Sequence, residues 1–370
     1  MDGTYVMPET AIERGERVIV ALSGGVDSAV AALLLKRAGF DAIGVTMKNF
    51  CYGDAQLDSS SCCSIESIED ARRICVRLDM VHRVVDVEEL FSSQVIDDFY
   101  DEYRRARTPN PCFRCNIAVR FNTLLDLART LGAGHIATGH YARIFASAEG
   151  RPYIARATCA EKDQSYYLAG LGRDVIGNAL FPLGTLDKAQ VRAIAADASL
   201  PVADKDESQE VCFIPDGDLK AFLDRRIDSR PGPIVNSAGE TLGTHDGLHA
   251  YTVGQRRKLG ISAPRPHYVL GFDSAANALV VGGEDELYSD CCGCSLIWFD
   301  DQFIDAAPGM LHAQIRSRHR AAPVKRVERT GDTCRITFEH PQKAITPGQT
   351  IVFYHEDLVA GAGIIEERSR

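Results

Sequence analysis

The sequence predicts an α/β fold: a doubly wound parallel sheet in about the first 215 residues, then a small central module and a C-terminal β-barrel domain. Three observations support this. Strand-like apolar runs alternate with amphipathic helix-like stretches through the first half, which is the pattern of βαβ units. Residues 229–247 are rich in Gly, Pro, Ser and Asn. From residue 296 onward the apolar runs are short and bounded by turns, as in small antiparallel barrels. We therefore place the domains at 1–216, 217–288 and 289–370.

The individual elements follow from hydrophobic spacing, because apolar runs predict strands and three- to four-residue spacing predicts helices. In chain order the first domain has strand 17–22, helix 27–37, strand 42–47, helix 64–78, strand 82–87, helix 90–105, helix 117–131 and strand 135–138. The prolines at 109 and 111 separate the last two helices. The strands predicted for the C-terminal domain are 312–315, 324–327, 334–338, 350–354 and 361–365.

Composition narrows the class of protein. The chain has 370 residues, a net charge of −10 and a hydrophobic fraction of 45%, so it is neither disordered nor fibrous. No apolar run approaches the roughly 18 residues of a membrane helix, and the acidic N-terminal stretch is unlike a signal peptide. Twelve cysteines in such a chain are expected to be reduced thiols. We therefore expect a cytoplasmic protein without membrane partners.

The strongest single motif is Ser23-Gly24-Gly25-Val26-Asp27-Ser28, which follows a predicted strand and opens a helix. Glycines allow the backbone to approach phosphate oxygens, and the helix start presents unpaired N–H groups to them. The chain has neither a Walker loop nor a dinucleotide fingerprint at this turn. The motif therefore predicts a phosphate-binding loop of another kind, with Asp27 placed to help hold Mg²⁺.

Two cysteine motifs are candidates for chemistry. Cys115 lies in TPNPCFRCN (108–116), where we expect a helix to start near Asn116, with Arg114 and Arg120 nearby. A helix N-terminus and neighbouring cations lower the pKa of a thiol. Cys212 lies in SQEVCFIP (208–215), where apolar neighbours would shelter a persulfide. Two further clusters, SSSCCS (59–64) and the cysteines at 291, 292 and 294, lack the spacing of a zinc site, so we predict no metal ligands there.

Together these motifs resemble the tRNA-specific 2-thiouridylases, which belong to the PP-loop superfamily of N-type ATP pyrophosphatases with an adenine nucleotide alpha hydrolase-like fold. The resemblance rests on ALSGGVDS (21–28), TGHYAR (138–143), KDQSYYL (162–168), SQEVCFI (208–214) and YTVGQRRKLG (251–260). It implies ATP-binding residues, namely Ala21, Leu22, Ser23, Gly24, Gly25, Val26, Asp27, Ser28, Met47 and Gly139. It also implies tRNA-binding residues, namely Asn110, Lys162, Asp163, Gln164, Arg316 and Ser317.

The resemblance further implies a reaction and its partners. ATP with Mg²⁺ would adenylate the C2 carbonyl of wobble uridine U34, in transfer RNAs for lysine, glutamate and glutamine, with release of pyrophosphate. A persulfide carrier protein or a cysteine desulfurase would load Cys212 with sulfur. The sulfur would replace the oxygen, either directly or after Cys115 frees it as sulfide, and a Cys115–Cys212 disulfide would remain.

One departure from the family pattern leaves the role of Cys112 open. The family has N-P-D-x-x-C-N, whereas this chain has Cys112 at the aspartate position. Cys112 could donate a proton in place of the carboxyl group, exchange disulfides with Cys115, or act as a spacer. Alternatively, Cys112, Cys115 and Cys212 could hold a [4Fe–4S] cluster with one open iron.

Two other functions stay open on sequence alone. A small-molecule ligase would explain the phosphate loop but not the two cysteines, and a non-catalytic RNA-binding protein would not need the loop. Basic clusters favour RNA as the substrate despite the net charge. They are the arginines at 104, 105, 107, 114 and 120, the segment 255–258, and eight Lys or Arg against three acids between 314 and 343.

Overall fold

The computed structural model describes residues 3–6, 15–50, 65–203, 205, 211–214, 217–262, 265–304 and 309–369. The chain forms two compact units. The first contains residues 1–95, 112–217 and 357–359, and the second contains residues 96–111, 218–356 and 360–370. The prediction of three domains at 1–216, 217–288 and 289–370 stays a prediction.

The strands alternate with helices in the first half and dominate the second half. The strands are β1 Gly3–Val6, β2 Arg17–Ala21, β3 Asp41–Lys48, β4 Val81–Asp86, β5 His135–Ala137, β6 Arg143–Ser147, β7 Pro152–Ala155, β8 Ala179–Leu180, β9 Gly232–Asn236, β10 Thr241–His245, β11 Tyr268–Asp273, β12 Ala278–Gly282, β13 Tyr288–Phe299, β14 Leu311–Gln314, β15 Ala322–Thr330, β16 Thr333–Lys343, β17 Thr350–His355 and β18 Leu358–Ser369. The α-helices are α1 Val26–Ala38, α2 Ile65–Arg77, α3 Glu88–Phe91, α4 Asp97–Arg104, α5 Pro111–Cys115, α6 Phe121–Leu131, α7 Ser165–Leu168, α8 Arg173–Asn178, α9 Lys188–Asp197 and α10 Leu219–Leu223.

The first unit is built on a five-stranded parallel sheet with the order β4-β3-β2-β5-β8. The chain runs outward from β2 to β4 on one side and then returns to β5 on the other side of β2. This confirms the predicted doubly wound sheet. In such sheets ligands bind at the carboxyl ends of the strands where the order reverses. In this chain that place is the ends of β2 and β5.

The core of the first unit explains why the sequences of the central strand and of the first helix contain continuous runs of apolar residues. Val18 and Val20 of β2 are fully buried, and Ala29, Val30 and Ala31 of α1 are fully buried against them. Burial on both faces of a parallel sheet removes the alternation of polar and apolar residues. The rigid β2–α1 unit therefore fixes the position of the turn between them, which is the predicted phosphate loop.

One predicted helix boundary is wrong. The helix expected to start near Asn116 begins at Pro111 and continues through a π-helical turn, Asn116–Arg120, into α6. Proline is well tolerated at the first helical position, where its missing N–H has no intrahelical partner in any case. Cys115 is therefore the fifth residue of the helix rather than a residue at its start.

A second π-helical turn lies in the predicted helix 90–105. That segment consists of α3, the turn Ser92–Ile96 and α4. Short π-helical turns are rare and often accompany functional sites. The prediction of helix through this segment is confirmed, although its regular spacing is not.

The second unit contains two all-β parts. The strands β10-β9-β12-β11 form a four-stranded sheet over a small core, which consists of Ile234, Leu259, Val269, Leu279 and Val281. The strands β18-β13-β16-β15-β14-β17 close into a six-stranded barrel through the pairing of β17 with β18. The predicted C-terminal β-barrel is confirmed. Among the described helices, none has the length and apolar character needed to cross a membrane.

Candidate functional site: a nucleotide cavity beside a cysteine-bearing helix

The predicted phosphate loop forms a compact turn at the end of β2. Gly25 is the N-cap of α1, and no side chain caps the helix. The Ser28 hydroxyl donates to the Gly25 carbonyl oxygen at 3.0 Å and accepts from the Ser23 amide at 3.2 Å. The first N–H groups of α1 have no intrahelical partner, and they carry the positive end of the helix dipole. The loop is therefore preorganised to receive an anion.

Two glycines around this loop are required by close backbone contacts. Gly24 has a left-handed φ of +71°, and a Cβ there would lie 2.4 Å from the carbonyl oxygen of Ser67. Gly139, just after β5, would place a Cβ 2.7 Å from the Ser28 nitrogen. Backbone atoms cannot move aside as a flexible side chain can. Gly139 therefore allows the end of β5 to pack directly against the start of α1.

A cavity of about 220 Å³ opens at this point of the first unit. Its lining comes from the ends of β2, β3 and β5, from the start of α1, from the π-helical turn after α5 and from the residue before α7. These residues are Ala21, Leu22, Ser23, Asp27, Ser28, Val45, Met47, Asn49, Arg120, Thr138, Gly139, His140 and Gln164. Seven of the residues expected to bind ATP line it: Ala21, Leu22, Ser23, Asp27, Ser28, Met47 and Gly139. Gly24, Gly25 and Val26 lie in the same loop.

Asp27 carries the one carboxylate among the described residues that line the cavity. The Lys188 ammonium donates to both of its oxygens, at 2.8 and 3.0 Å, and the Tyr141 hydroxyl donates to Oδ1 at 2.7 Å. Lys205 donates to the Gly24 carbonyl oxygen at 3.3 Å and to Asp70 at 2.7 Å. Two lysines distant in sequence thus lie beside the phosphate loop. Sequence reasoning missed both, because no local motif marks them.

His140 gives the cavity a neutral imidazole. Burial, followed by the charge of Arg120, lowers the pKa of His140 to about 3. Its Nδ1 atom lies 2.8 Å from the Thr138 hydroxyl, and its Nε2 atom lies 3.5 Å from the Arg120 guanidinium. Arg120 therefore supplies positive charge at this wall at neutral pH, whereas His140 does not.

The π-helical turn connects Cys115 to the cavity. Asn116 is buried, its side-chain amide donates to the Tyr167 carbonyl oxygen at 3.0 Å, and its Oδ1 accepts from Arg120 at 2.9 Å. Arg114 instead donates to the backbone and side-chain oxygens of Gln94. Of the two arginines that the sequence places near Cys115, Arg120 faces the nucleotide cavity.

The three candidate cysteines differ in exposure. Cys115 is buried, Cys212 is partly exposed and Cys112 is exposed. Beside Cys212, Phe213 and Ile214 are buried, and Phe213 packs edge-on against Phe91 at 5.9 Å. These apolar neighbours anchor the segment that carries the Cys212 thiol.

Within the part of the chain that the structure describes, no three His, Cys, Asp or Glu side chains are grouped as metal ligands. Cys112, Cys115 and Cys212 thus do not fit a [4Fe–4S] cluster here, and we derive no step through one. Cys292 and Cys294 are buried in β13. The segment 59–64 lies outside the described residues.

The residues expected to bind tRNA do not share one environment. The Asp163 carboxylate is engaged within the protein. It accepts hydrogen bonds from the Arg156 guanidinium, from the Ala157 amide, and from the amide and hydroxyl groups of Ser165. Gln164 lines the nucleotide cavity and accepts from the Tyr141 amide at 2.9 Å. Lys162 lies partly buried in the turn before them.

The other expected tRNA-binding residues belong to the second unit. There Asn110 donates to the Thr350 hydroxyl at 3.2 Å, and Arg316 donates to the Lys343 carbonyl oxygen at 2.9 Å. Ser317 follows Arg316 and is partly exposed. The tRNA roles of all these residues stay predictions.

The fold and the cavity define a nucleotide-binding α/β protein with its phosphate loop at the switch point of the sheet. Matching family models are the tRNA methyl transferase HUP domain over residues 16–216, the tRNA methyl transferase PRC-barrel domain over 220–283 and the aminomethyltransferase beta-barrel domain over 295–365.

Curated relatives extend this similarity over nearly the whole chain. The tRNA-specific 2-thiouridylase of Geotalea uraniireducens is 44% identical over 361 residues, 95% of each chain. That of Geobacter metallireducens is 44% identical over 360 residues, 95% of this chain and 97% of the relative. One from Caldanaerobacter subterraneus is 42% identical over 368 residues, 97% of this chain and 100% of the relative. The chain belongs to the family of tRNA-specific 2-thiouridylases.

Proposed function

We propose that this protein is a tRNA-uridine 2-sulfurtransferase, which uses ATP to replace the C2 oxygen of wobble uridine U34 with sulfur and releases AMP and pyrophosphate. The observation that carries the proposal is the cavity at the Ser23–Ser28 loop, in a chain that matches a 2-thiouridylase over 95% of that relative's length. A uridine carbonyl is a poor electrophile, so it must be activated before sulfur can attack. Adenylation converts its oxygen into part of a leaving group.

The cavity suits ATP with Mg²⁺. The loop amides and the hydroxyls of Ser23 and Ser28 would hold phosphate oxygens, and Lys188 and Arg120 would balance their charge. The carboxylate of Asp27 fits Mg²⁺, which prefers carboxylate and phosphate oxygens. When bound, the ion would neutralise charge on the leaving pyrophosphate. The apolar side chains Ala21, Leu22, Val45 and Met47 would contact the base.

Sulfur transfer would use Cys115 and Cys212. A persulfide on Cys212 carries the sulfur, and the Cys115 thiolate attacks its inner sulfur. The S–S bond of the persulfide breaks, a Cys115–Cys212 disulfide forms and the terminal sulfur leaves as hydrosulfide. Hydrosulfide attacks C2 of the adenylated uridine, AMP leaves with the oxygen, and one proton is released. External thiols then reduce the disulfide. Direct attack by the persulfide on C2, followed by Cys115, gives the same products.

The proposed partners follow from this chemistry. The substrate would be a transfer RNA with U34, of the lysine, glutamate or glutamine type. A persulfide carrier protein or a cysteine desulfurase would deliver sulfur to Cys212, which is partly exposed. The residues that we propose for tRNA binding are Asn110, Lys162, Asp163, Gln164, Arg316 and Ser317. Asp163 would act indirectly, because its carboxylate holds the loop that carries Lys162 and Gln164.

The test is ATP-dependent transfer of labelled sulfur into tRNA transcripts that carry U34, with U34C transcripts as the substrate control. We expect Cys115→Ser and Cys212→Ser to abolish thiolation and to leave ATP binding intact. Cys159→Ser is the matched control, because Cys159 is a partly exposed cysteine of the same unit without a proposed role. Full thiolation by either active-site variant, or equal labelling of U34C transcripts, would contradict the proposal.

A further inference from the structure

We infer that Asn49 selects adenine: its side-chain oxygen accepts a hydrogen bond from the 6-amino group of the nucleotide. The inference rests on the proposed use of ATP and adds the group that recognises the base. It concerns a residue that the sequence did not single out and that lies on the cavity wall contributed by β3.

The first observation is an incomplete hydrogen-bond pattern. Asn49 is only 7% exposed, and among the described residues its Oδ1 atom is buried without a hydrogen-bond partner. A buried acceptor without a partner destabilises the protein, so nearly all such atoms in folded proteins are satisfied. An unsatisfied oxygen on the wall of a ligand cavity is therefore expected to be satisfied by the ligand.

The second observation is the position of Asn49 along the chain. Side chains on extended backbone alternate, so Val45, Met47 and Asn49 share one side of the chain as β3 ends, and all three line the cavity. Ala21 and Leu22 line it from the end of β2. These apolar walls suit a flat purine ring, and the polar oxygen of Asn49 extends the same face.

The loop fixes the orientation of the nucleotide. Phosphates would lie against the Ser23–Ser28 loop, which follows β2, whereas Asn49 follows the neighbouring strand β3. The base must then lie toward β3, where the Oδ1 atom of Asn49 is an unsatisfied side-chain acceptor among the described residues. Adenine carries a hydrogen-bond donor at C6, whereas guanine carries an acceptor there. An accepting oxygen at this place therefore binds ATP and disfavours GTP, because an unpaired buried polar group weakens the wrong complex.

The experiment compares ATP with purine riboside triphosphate, which has hydrogen in place of the 6-amino group. Dissociation constants are measured by calorimetry on the full chain with Mg²⁺. For the unmodified protein we expect ATP to bind about tenfold more tightly, the equivalent of about 1.4 kcal/mol. In Asn49→Ala and in the similarly sized Asn49→Leu, the ratio of the two constants should fall close to one. Asn49→Asp keeps the accepting oxygen and should keep the preference, although its charge weakens both complexes.

The controls separate this inference from the proposed function. If the unmodified protein does not bind ATP, the proposed function fails. If it binds both nucleotides equally, or if Asn49→Leu retains the full tenfold preference, the base is recognised elsewhere and the inference is overturned. Purine riboside triphosphate binding also reports folding of the uncharged variants, because a folded Asn49→Ala or Asn49→Leu protein binds this analogue as well as the unmodified protein does. If Asn49→Ala binds neither nucleotide, the ratio of the two dissociation constants in Asn49→Leu decides between the outcomes.

Discussion

Gly139 shows how a single missing side chain determines the geometry of the nucleotide site. Its Cα approaches the backbone at the start of α1 so closely that an added Cβ would lie 2.7 Å from the Ser28 nitrogen. The resemblance of its sequence segment to that of the 2-thiouridylases implied that Gly139 approaches ATP. The structure adds that it must first allow β5 and α1 to meet.

Gly139→Ala is therefore expected to push the phosphate loop away from β5 and to weaken ATP binding by about tenfold or more. Overpacking of a tight site costs about 1–3 kcal/mol, which should also lower the urea midpoint of unfolding. Gly134→Ala is the matched control, because a Cβ at Gly134 meets nothing within 4 Å. Equal ATP affinities for the two variants in calorimetry would contradict this account.

His140 connects the same site to the pH dependence of stability. Burial lowers its pKa to about 3 from an ordinary value of 6.5. Between these values the unfolded chain binds a proton that the folded protein excludes. Stability is therefore lost as the pH falls from about 6.5 toward about 3, by up to about 1.4 kcal/mol per pH unit from this group.

His140→Gln should flatten that dependence. We expect urea midpoints measured at pH 7.5, 6 and 5 to fall less steeply for His140→Gln than for the unmodified protein. An exposed histidine, His340, provides the comparison, and His340→Gln should keep the original slope. An unchanged slope in His140→Gln would show that His140 does not exclude a proton in this range.

At the scale of elements, helix α9 places a cation beside the phosphate loop through its N-terminal cap. Asp187 accepts from the Gln190 amide at 2.8 Å, and the Gln190 side chain accepts from the Asp187 amide at 2.8 Å, which completes a capping box. The next residue is Lys188, which binds Asp27. The cap thus fixes both the start of the helix and the position of this lysine.

Asp187→Ala should lower the free energy of unfolding by about 1 kcal/mol, the usual cost of a lost N-cap. It should also weaken ATP binding, because Lys188 is then held less firmly. Asp197→Ala, at the exposed opposite end of α9, should change stability by no more than about 0.5 kcal/mol. Equal urea midpoints for the two variants would show that the cap does not stabilise the helix.

Across the whole molecule, the basic clusters predicted from the sequence differ in how much of their positive charge is available to bind RNA. In the second unit Arg104 pairs with Asp101, Arg105 with Glu102, and Arg107 with both Glu102 and Glu366. Those arginines are partly neutralised within the protein. Arg318, Arg320 and Lys325 are exposed, and no described residue forms an ion pair with them. The part of the barrel after β14 therefore retains its positive charge.

Replacing Arg318 and Arg320 together with alanine should weaken tRNA binding and make it less sensitive to salt. If each arginine neutralises one phosphate, the slope of log affinity against log salt should fall by about two. Fluorescence anisotropy with labelled tRNA between 50 and 200 mM KCl would measure the slope, and calorimetry should show unchanged ATP affinity. Arg129→Ala, which removes an exposed arginine paired with Asp126, is the control and should keep the original slope.

The amino-acid sequence was enough to predict the parallel sheet, the phosphate loop and the barrel, because each depends on short-range patterns of apolar and glycine residues. It also indicated the candidate cysteines and most of the cavity residues at the ends of β2 and β5. It misplaced the start of the helix at Cys115, since a proline that ends one helix can equally begin the next.

The groups that come from distant parts of the chain were recognised in the folded structure and not in the sequence. Lys188 is 161 residues from its partner Asp27, and the unsatisfied oxygen of Asn49 is recognisable only once its surroundings are known. Local patterns determine which helices and strands form, because the periodicity of apolar residues is a property of residues that are close in sequence. Charge pairing and the satisfaction of buried polar atoms are decided by packing, since they depend on atoms that folding alone brings together.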